Sequence, residues 1–184
     1  PDYDDFKKYV GVSDEQMAQE FSSAVNPKLD PHALVTRKCN AYLDLVPQIE
    51  LLPGVVQTLE RWRGRFTMAV ASSSPYRELI ALLAHHGLRD RFVQVVGGDM
   101  VPRKKPAPDI YQMVVSLLGV LPSTCIAFED SHSGVASAKG AGLTVVAVPQ
   151  PMSAAHDFSN ADVVLESLAD FDEQVLHEIE PHKQ

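Results

Sequence analysis

The first fifty residues show apolar positions at helical spacing and predict two helices with no strand. The first helix follows a capping box formed by Ser13 and Gln16, and Pro27 ends it. The second begins at Asp30-Pro31 and ends before Pro47. The residues that carry the helical spacing are Met17, Phe21 and Ala24 in the first helix, and Val35, Cys39, Tyr42 and Val46 in the second.

From residue 51 onward, short apolar runs alternate with amphipathic helices. Strands are predicted over residues 66–71, 92–96, 125–128, 144–148 and 162–165. Helices are predicted between them, one capped by Ser74 and closed by Gly87, another ended by Gly119, and a short one over residues 135–141. This alternation is typical of an α/β fold: a Rossmann-like parallel sheet with helices on both faces.

Composition narrows the class of protein. The chain has 184 residues, of which 45% are hydrophobic, so it can bury a core of its own. Its net charge of −8 disfavours nucleic acid as a partner. No apolar run approaches the roughly 18–20 residues that span a bilayer, and we therefore expect a soluble, cytoplasmic protein. Cys39 and Cys125 are far apart within apolar patterns and are predicted to be buried free thiols.

Polar residues follow three of the predicted strands, where ligands bind in open α/β sheets. They are Ser72-Ser73-Ser74 after the first strand, Arg103-Lys104-Lys105 beyond the second, and Glu129-Asp130 after the third. Hydroxyl and lysine donors suit a phosphate, and adjacent carboxylates suit a hard divalent cation.

Each of these groups also has an ordinary structural interpretation. A Ser-Ser-Ser-Pro segment is commonly a helix cap, and a basic tripeptide is commonly a solvated loop. The two acids are more informative, because like charges at the end of a buried strand are costly unless a cation or donors compensate them. His132 lies close by, but a histidine bonded to backbone is the simpler interpretation. No zinc spacing, Walker loop or nucleophile elbow is found.

Five segments between residues 51 and 143 together resemble the haloacid dehalogenase-like hydrolases, in the branch that contains beta-phosphoglucomutase and phosphoglycolate phosphatase. The segments are Leu-Leu-Pro-Gly-Val at 51–55, Ala-Val-Ala-Ser-Ser-Ser at 69–74, Lys-Pro-Ala-Pro-Asp-Ile-Tyr at 105–111, Phe-Glu-Asp-Ser-His-Ser-Gly-Val at 128–135 and Ala-Lys-Gly-Ala-Gly-Leu at 138–143. The resemblance extends from about residue 52 to about residue 171.

The resemblance implies a role for each candidate residue. Ser72, with Ser73 beside it, would bind the transferring phosphoryl group, and Lys105 would neutralise that group. Glu129 and Asp130 would hold Mg²⁺. Residues 1–50 resemble part of a helical cap that selects the substrate, and residues 51–184 resemble the Rossmann-like core.

One family motif is missing. The family's first strand ends in Asp-x-Asp, which supplies the nucleophile and the general acid/base. Asp2-Tyr3-Asp4 has the right letters, but no apolar strand precedes it. In the family this strand lies between those that correspond to the strands ending near Ser72 and Glu129, so its absence would leave both with unpaired edges and should prevent stable folding. We therefore expect a segment of a few tens of residues before Pro1.

For the intact protein the resemblance implies a Mg²⁺-dependent phosphatase that acts on a small phosphorylated metabolite through an aspartyl-phosphate. A mutase with the same core is the main alternative. A dehalogenase fits less well, because its chemistry needs no metal. A catalytically inactive binding module stays open for the chain as given.

Overall fold

The computed structural model describes residues 14–25 and 28–179 of the chain. Two helices come first, α1 (Asp14–Val25) and α2 (Pro31–Leu45). Asp30 caps α2, because its side chain accepts a hydrogen bond of 3.0 Å from the backbone N–H of His32. Both predicted helices are confirmed, while Ser13 of the predicted capping box lies outside the described residues.

The remaining elements alternate as the hydrophobic pattern predicts. The helices are α3 (Val55–Arg61), α4 (Tyr76–His85), α5 (Asp109–Leu118), α6 (His132–Gly140) and α7 (Glu173–Ile179). The strands are β1 (Ala69–Ala71), β2 (Gln94–Val96), β3 (Ile126–Glu129), β4 (Thr144–Ala147) and β5 (Val163–Val164).

Three predicted boundaries are wrong in instructive ways. The first strand begins at Ala69 rather than at residue 66, because Phe66 belongs to a turn and is 42% exposed. Helix α6 begins at His132, three residues before the predicted start, since the Ser131 hydroxyl accepts a hydrogen bond from Gly134 N and caps it there. Ser74 makes no helix cap, and Pro75 occupies the capping position of α4 without a side-chain bond.

The strands form two separate parallel groups. Strand β1 pairs with β2, and β3, β4 and β5 pair in that order. Within the described residues no strand joins β1 to β3. Their facing edges are unpaired, as the sequence analysis expects.

Strand β4 shows how the core is built on both faces of its sheet. Val145 and Ala147 point to one face and join a cluster with α5 and α6. Val146 and Val148 point to the opposite face and pack with Trp62, Phe171 and their neighbours. Successive residues of a strand face opposite sides, so this one strand supplies both apolar layers. The helices on both faces and the parallel pairing confirm the predicted α/β class.

A cleft separates the two groups of strands. Its volume is about 640 Å³, and its lining includes residues 67–71 around β1 and residues 125–128 around β3. Most of the lining side chains are apolar. Every residue of β1 is only half-buried, and Phe128 of β3 is 39% exposed. The cleft is therefore an uncovered apolar surface between two unpaired strand edges.

Candidate active site

A second cavity, of about 910 Å³, opens at the carboxyl ends of β1 and β3. This is the edge of an α/β sheet where ligands bind. All of the residues that the sequence analysis assigns to a phosphate or a metal lie in the lining of this cavity: Ser72, Ser73, Lys105, Glu129 and Asp130. The structure thus brings together groups that are up to 58 positions apart along the chain, from Ser72 to Asp130.

The serine loop bends at Ser73 and Ser74 directly after β1, and backbone hydrogen bonds hold it in place. Ser72 N donates to Val96 O at 3.1 Å, and Gly98 N donates to Ser74 O at 2.9 Å. The Ser72 hydroxyl accepts from Ser74 N at 3.2 Å, which leaves its own proton free to be donated. Ser73 is exposed to the cavity.

Gly98 is needed for this arrangement, although no motif in the sequence pointed to it. A Cβ at Gly98 would lie 2.3 Å from the carbonyl oxygen of Ser73, closer than any real Cβ contact. Only glycine lets the two backbones approach this closely. The Gly97-Gly98 pair after an apolar run is the signal that could have revealed it.

Lys105 connects the two groups of strands. Its Nζ lies 3.2 Å from the carbonyl oxygen of Ala71, at the end of β1, and 2.5 Å from Glu129 Oε1, at the end of β3. Its side chain is 8% exposed. The ammonium has three N–H donors, and these two acceptors leave one for a ligand in the cavity.

Glu129 is held from three directions. Its Oε1 accepts hydrogen bonds from Lys105 and from the hydroxyl of Tyr111. Its Oε2 packs over Gly134, where an added Cβ would lie only 1.7 Å away. Burial, and after it the charge of Glu129, raises the pKa of Tyr111 well above 10.0, so the phenol keeps its proton and donates.

Asp130 is exposed in the cavity beside the buried Glu129. Two carboxylates on consecutive residues offer the oxygen ligands that Mg²⁺ binds, and Mg²⁺ commonly keeps several waters in addition. These residues fit such an ion chemically. Glu129 would offer it a carboxylate whose Oε1 already has two donors, so Asp130 would be the freer ligand.

The other basic and histidine candidates have structural roles. Arg103 pairs with Asp109 at 2.9 Å, and Lys104 donates to Gly98 O. Of the basic tripeptide, only Lys105 lines the cavity. The His132 ring Nδ1 lies 3.0 Å from the backbone oxygen of Asp157, which confirms the prediction of a histidine bonded to backbone.

A second cluster of acids lies away from the cavity, between α1, α2 and α4. Asp14, Cys39 and Glu78 bring ligand atoms within 4.8 Å of one another. The Lys38 ammonium already occupies this position, at 2.9 Å from Asp14 and 3.1 Å from both Glu78 oxygens. Glu78 is 1% exposed, so its charge is balanced by a lysine rather than by a metal.

The two cysteines are free, as predicted, but half-buried rather than buried. Burial, with the nearby Glu78 carboxylate, raises the pKa of Cys39 to about 11. Its thiol therefore stays protonated at neutral pH and is a poor nucleophile.

The nucleophile is the part of the expected site that remains unassigned. Asp2-Tyr3-Asp4 lies outside the described residues. A second Asp-x-Asp lies at Asp170-Phe171-Asp172, but both carboxylates accept hydrogen bonds from nearby backbone N–H groups. Asp170 Oδ2 accepts from Ser167 N at 3.0 Å, and Asp172 Oδ1 accepts from Gln174 N at 2.9 Å. Neither residue lines the cavity.

Among the described residues, no helix is both long and apolar enough to cross a membrane.

Known proteins that resemble this chain identify its family. The profile of the haloacid dehalogenase-like hydrolases matches residues 1–148. The chain is 40% identical over 134 residues to fructose-1-phosphate phosphatase YqaB of Escherichia coli, which covers 72% of this chain and 71% of that protein.

Two further similarities agree. The chain is 36% identical to protein CbbY of Rhodobacter capsulatus over 77% of this chain and 65% of that protein, so it spans slightly less than two thirds of that relative. The crystal structure of CbbY from Rhodobacter sphaeroides in complex with phosphate superposes with a TM-score of 0.85 at 28% identity, covering 92% of this chain and 80% of that one. With a profile match over most of its length and relatives named as phosphatases, the chain belongs to the haloacid dehalogenase-like hydrolase family.

Proposed function

We propose that the intact protein is a Mg²⁺-dependent phosphatase that hydrolyses a small phosphorylated metabolite. The observation that carries this proposal is the shared cavity, in which a serine hydroxyl and a lysine ammonium lie beside two consecutive carboxylates. Ser72 and Lys105 would bind the phosphoryl oxygens, with Ser73 beside them. Glu129 and Asp130 would hold Mg²⁺, which would supply positive charge to the phosphoryl group when bound.

The charges of these residues support the assignment. The protein carries a net charge of −8, so a dianionic phosphate would be repelled by its average field. At the cavity the positive charge of Lys105 would reduce this repulsion. Its contacts with Ala71 O and Glu129 Oε1 hold the ammonium at the sheet edge. Most stabilisation in phosphoryl transfer comes from fixed charge of this kind.

The reaction also needs a carboxylate nucleophile, and the cleft between β1 and β3 indicates where it would enter. A further apolar strand, parallel to both neighbours, would pair with the two open edges and cover the half-buried β1. Its carboxyl end would reach the cavity between Ser72 and Glu129. We infer that this strand ends in Asp-x-Asp and lies outside the described residues.

In the proposed reaction, one aspartate oxygen of that strand bonds to phosphorus while the ester oxygen leaves with a proton from the second aspartate. Water then attacks phosphorus and gives a proton back to the second aspartate, while the bond from the first aspartate to phosphorus breaks and inorganic phosphate is released. Lys105 and Ser72 contact the phosphoryl oxygens throughout, so they bind and orient without forming or breaking bonds.

The relatives support a substrate class. One relative is named a fructose-1-phosphate phosphatase, and a structural neighbour, again CbbY of Rhodobacter sphaeroides, was crystallised with xylulose-(1,5)bisphosphate. We infer a sugar phosphate or a similarly small phosphate ester. Residues 1–50, which we propose to be part of a helical cap, would make the choice among such esters.

The test is a panel of sugar phosphates assayed with and without Mg²⁺, using protein made from the complete reading frame. We expect inorganic phosphate release that depends on Mg²⁺. Asp130→Asn should abolish it without unfolding the protein, whereas Asp90→Asn, an exposed aspartate outside the cavity lining, should leave it unchanged.

Other outcomes of the same assay would decide among the alternatives. Isomerised sugar phosphate without net phosphate release would identify a mutase. Retained Mg²⁺-dependent turnover in Asp130→Asn would contradict the metal assignment. No turnover, with a reading frame that lacks Asp-x-Asp after an apolar strand, would identify an inactive binding module.

A further inference from the structure

Tyr111 lies beneath the proposed phosphate site and is not explained by packing alone. It is the third residue of α5, and 6% of it is exposed. Its hydroxyl donates to Glu129 Oε1, the same oxygen that accepts from Lys105. Its ring centroid lies 5.0 Å from Lys105 Nζ, within the range of a cation–π contact. Lys105 therefore interacts with Tyr111 in two ways, directly with its ring and indirectly through the Glu129 oxygen to which both side chains donate.

We propose that Tyr111 is a positioning residue for Lys105 and that its hydroxyl acts through the carboxylate of Glu129. This inference rests on the proposed function, because that proposal assigns Lys105 to the phosphate. The ring fills core space, as a phenylalanine would. The hydroxyl adds an interaction that a phenylalanine could not make, because it is a buried donor directed at a charged acceptor.

Lys105 shares its three N–H donors among neighbouring acceptors. The ammonium contacts Ala71 O and Glu129 Oε1, and one N–H remains for a phosphate oxygen. With Tyr111 donating as well, Glu129 Oε1 does not depend on the lysine alone. Without the Tyr111 hydroxyl, only the Lys105 ammonium would stabilise the charge of the buried Glu129 carboxylate. The carboxylate would then attract the ammonium more strongly. A phosphate would then compete with Glu129 for Lys105.

The test substitutes Tyr111→Phe, which keeps the ring and removes the oxygen. Tyr76→Phe is the matched control, because Tyr76 is 40% exposed and does not line the cavity. The first measurement is the ¹⁵N NMR resonance of the Lys105 ammonium in the protein without ligand, assigned by its loss in Lys105→Gln. We expect this resonance to move in Tyr111→Phe and to stay in place in Tyr76→Phe.

The second measurement is the Kd for inorganic phosphate by calorimetry. We expect Tyr111→Phe to weaken binding roughly three- to tenfold, the size of one ordinary net hydrogen bond, because the hydroxyl acts on phosphate only through Glu129 and Lys105. In a Glu129→Gln background the same substitution should have no further effect, because the proposed action passes through that carboxylate. A purely structural tyrosine would show equal effects in both backgrounds.

An unmoved Lys105 resonance would overturn the inference, and so would an unchanged phosphate Kd in a variant whose resonance has moved. Absence of phosphate binding by the wild-type protein would instead count against the proposed function. In that case the Lys105 resonance alone still decides whether Tyr111 positions the lysine.

Discussion

The two groups of strands differ in how completely they are covered. In the three-stranded group, Val145, Val146 and Ala147 of β4 are fully buried, with an apolar cluster on each face. In the two-stranded group, all three residues of β1 are only half-buried, and its free edge lines the apolar cleft. Strand β4 is covered on both faces, whereas β1 is open toward the cleft that it shares with the edge of β3.

The difference shows which contacts hold the candidate site together. The site lies across both groups, with Ser72 after β1 and Glu129 at the end of β3, yet no strand hydrogen bond joins them in the described residues. Lys105 connects them through side-chain contacts to Ala71 O and Glu129. Lys105, which would bind phosphate, therefore also bridges the least covered part of the sheet.

The largest effect is expected at Gly134, in helix α6. A Cβ there would lie 1.7 Å from Glu129 Oε2 and must displace the carboxylate. We expect Gly134→Ala to lower Mg²⁺-dependent phosphate release of the intact protein by about a hundredfold or more, a loss typical of misplaced charged groups. Gly140→Ala, on the same helix, is the control, because its nearest contact would be Pro108 at 3.5 Å. Equal activity in both variants would contradict the geometry.

Truncating a buried valine in β4 should destabilise the protein more than truncating a half-buried valine in β1. Val146→Ala removes two methyl groups from a fully buried position and should lower the free energy of unfolding by about 2–3 kcal/mol. Val70→Ala, in the half-buried β1, should cost about 1 kcal/mol or less. Urea unfolding of both variants measures the difference. Similar losses would show that β1 is as well covered as β4.

The contact between α2 and α4 is expected to be next in size. Lys38→Met leaves the buried Glu78 without its ammonium, and we expect a loss of about 2 kcal/mol, reduced by the partial exposure of the lysine. Adding Glu78→Leu should restore much of it. A double variant no more stable than Lys38→Met would show that the pair is not coupled. Denaturant unfolding at neutral pH is the measurement.

The pH dependence of that contact has a definite sign. Burial acts to lower the pKa of Lys38, but its hydrogen bonds to Asp14 and Glu78 outweigh burial and raise it above 10.5. A raised lysine pKa contributes stability that is complete below 10.5 and is lost as pH rises through the folded value. The wild-type protein should lose this contribution in alkali, whereas Lys38→Met should not.

The smallest effect is expected at Asp162, beside β5. Burial acts to raise the pKa of Asp162, but hydrogen bonds from Lys139 and from Val145 N outweigh burial and lower this pKa below 3.8. The stabilisation is therefore present above pH 3.8 and is lost as pH falls through the folded value. Asp162→Asn should cost about 0.5–1 kcal/mol at pH 7, since the pair is partly solvated, and less at pH 2. A loss independent of pH would contradict the assignment to charge.

Much of this architecture was predictable because it depends on local pattern. The periods of the apolar residues identified both N-terminal helices, all five strands and the α/β class. Gly119 was predicted to end α5, and it does so with φ of +68°. Boundaries were less predictable, as at Ser131, where a cap moved the helix start by three residues. Whether a hydroxyl caps a helix depends on the surrounding loop as well as on residue type.

The order of residues by itself determined which groups stand at the ends of apolar strands: hydroxyls, a lysine and two acids. It did so because parallel strands bring their carboxyl ends to one edge. Only the tertiary structure decided that Lys105 binds Glu129, that Tyr111 shares the same oxygen, and that Gly98 and Gly134 leave room for their neighbours. Such contacts join distant parts of the chain at hydrogen-bonding distances, and no local pattern specifies them.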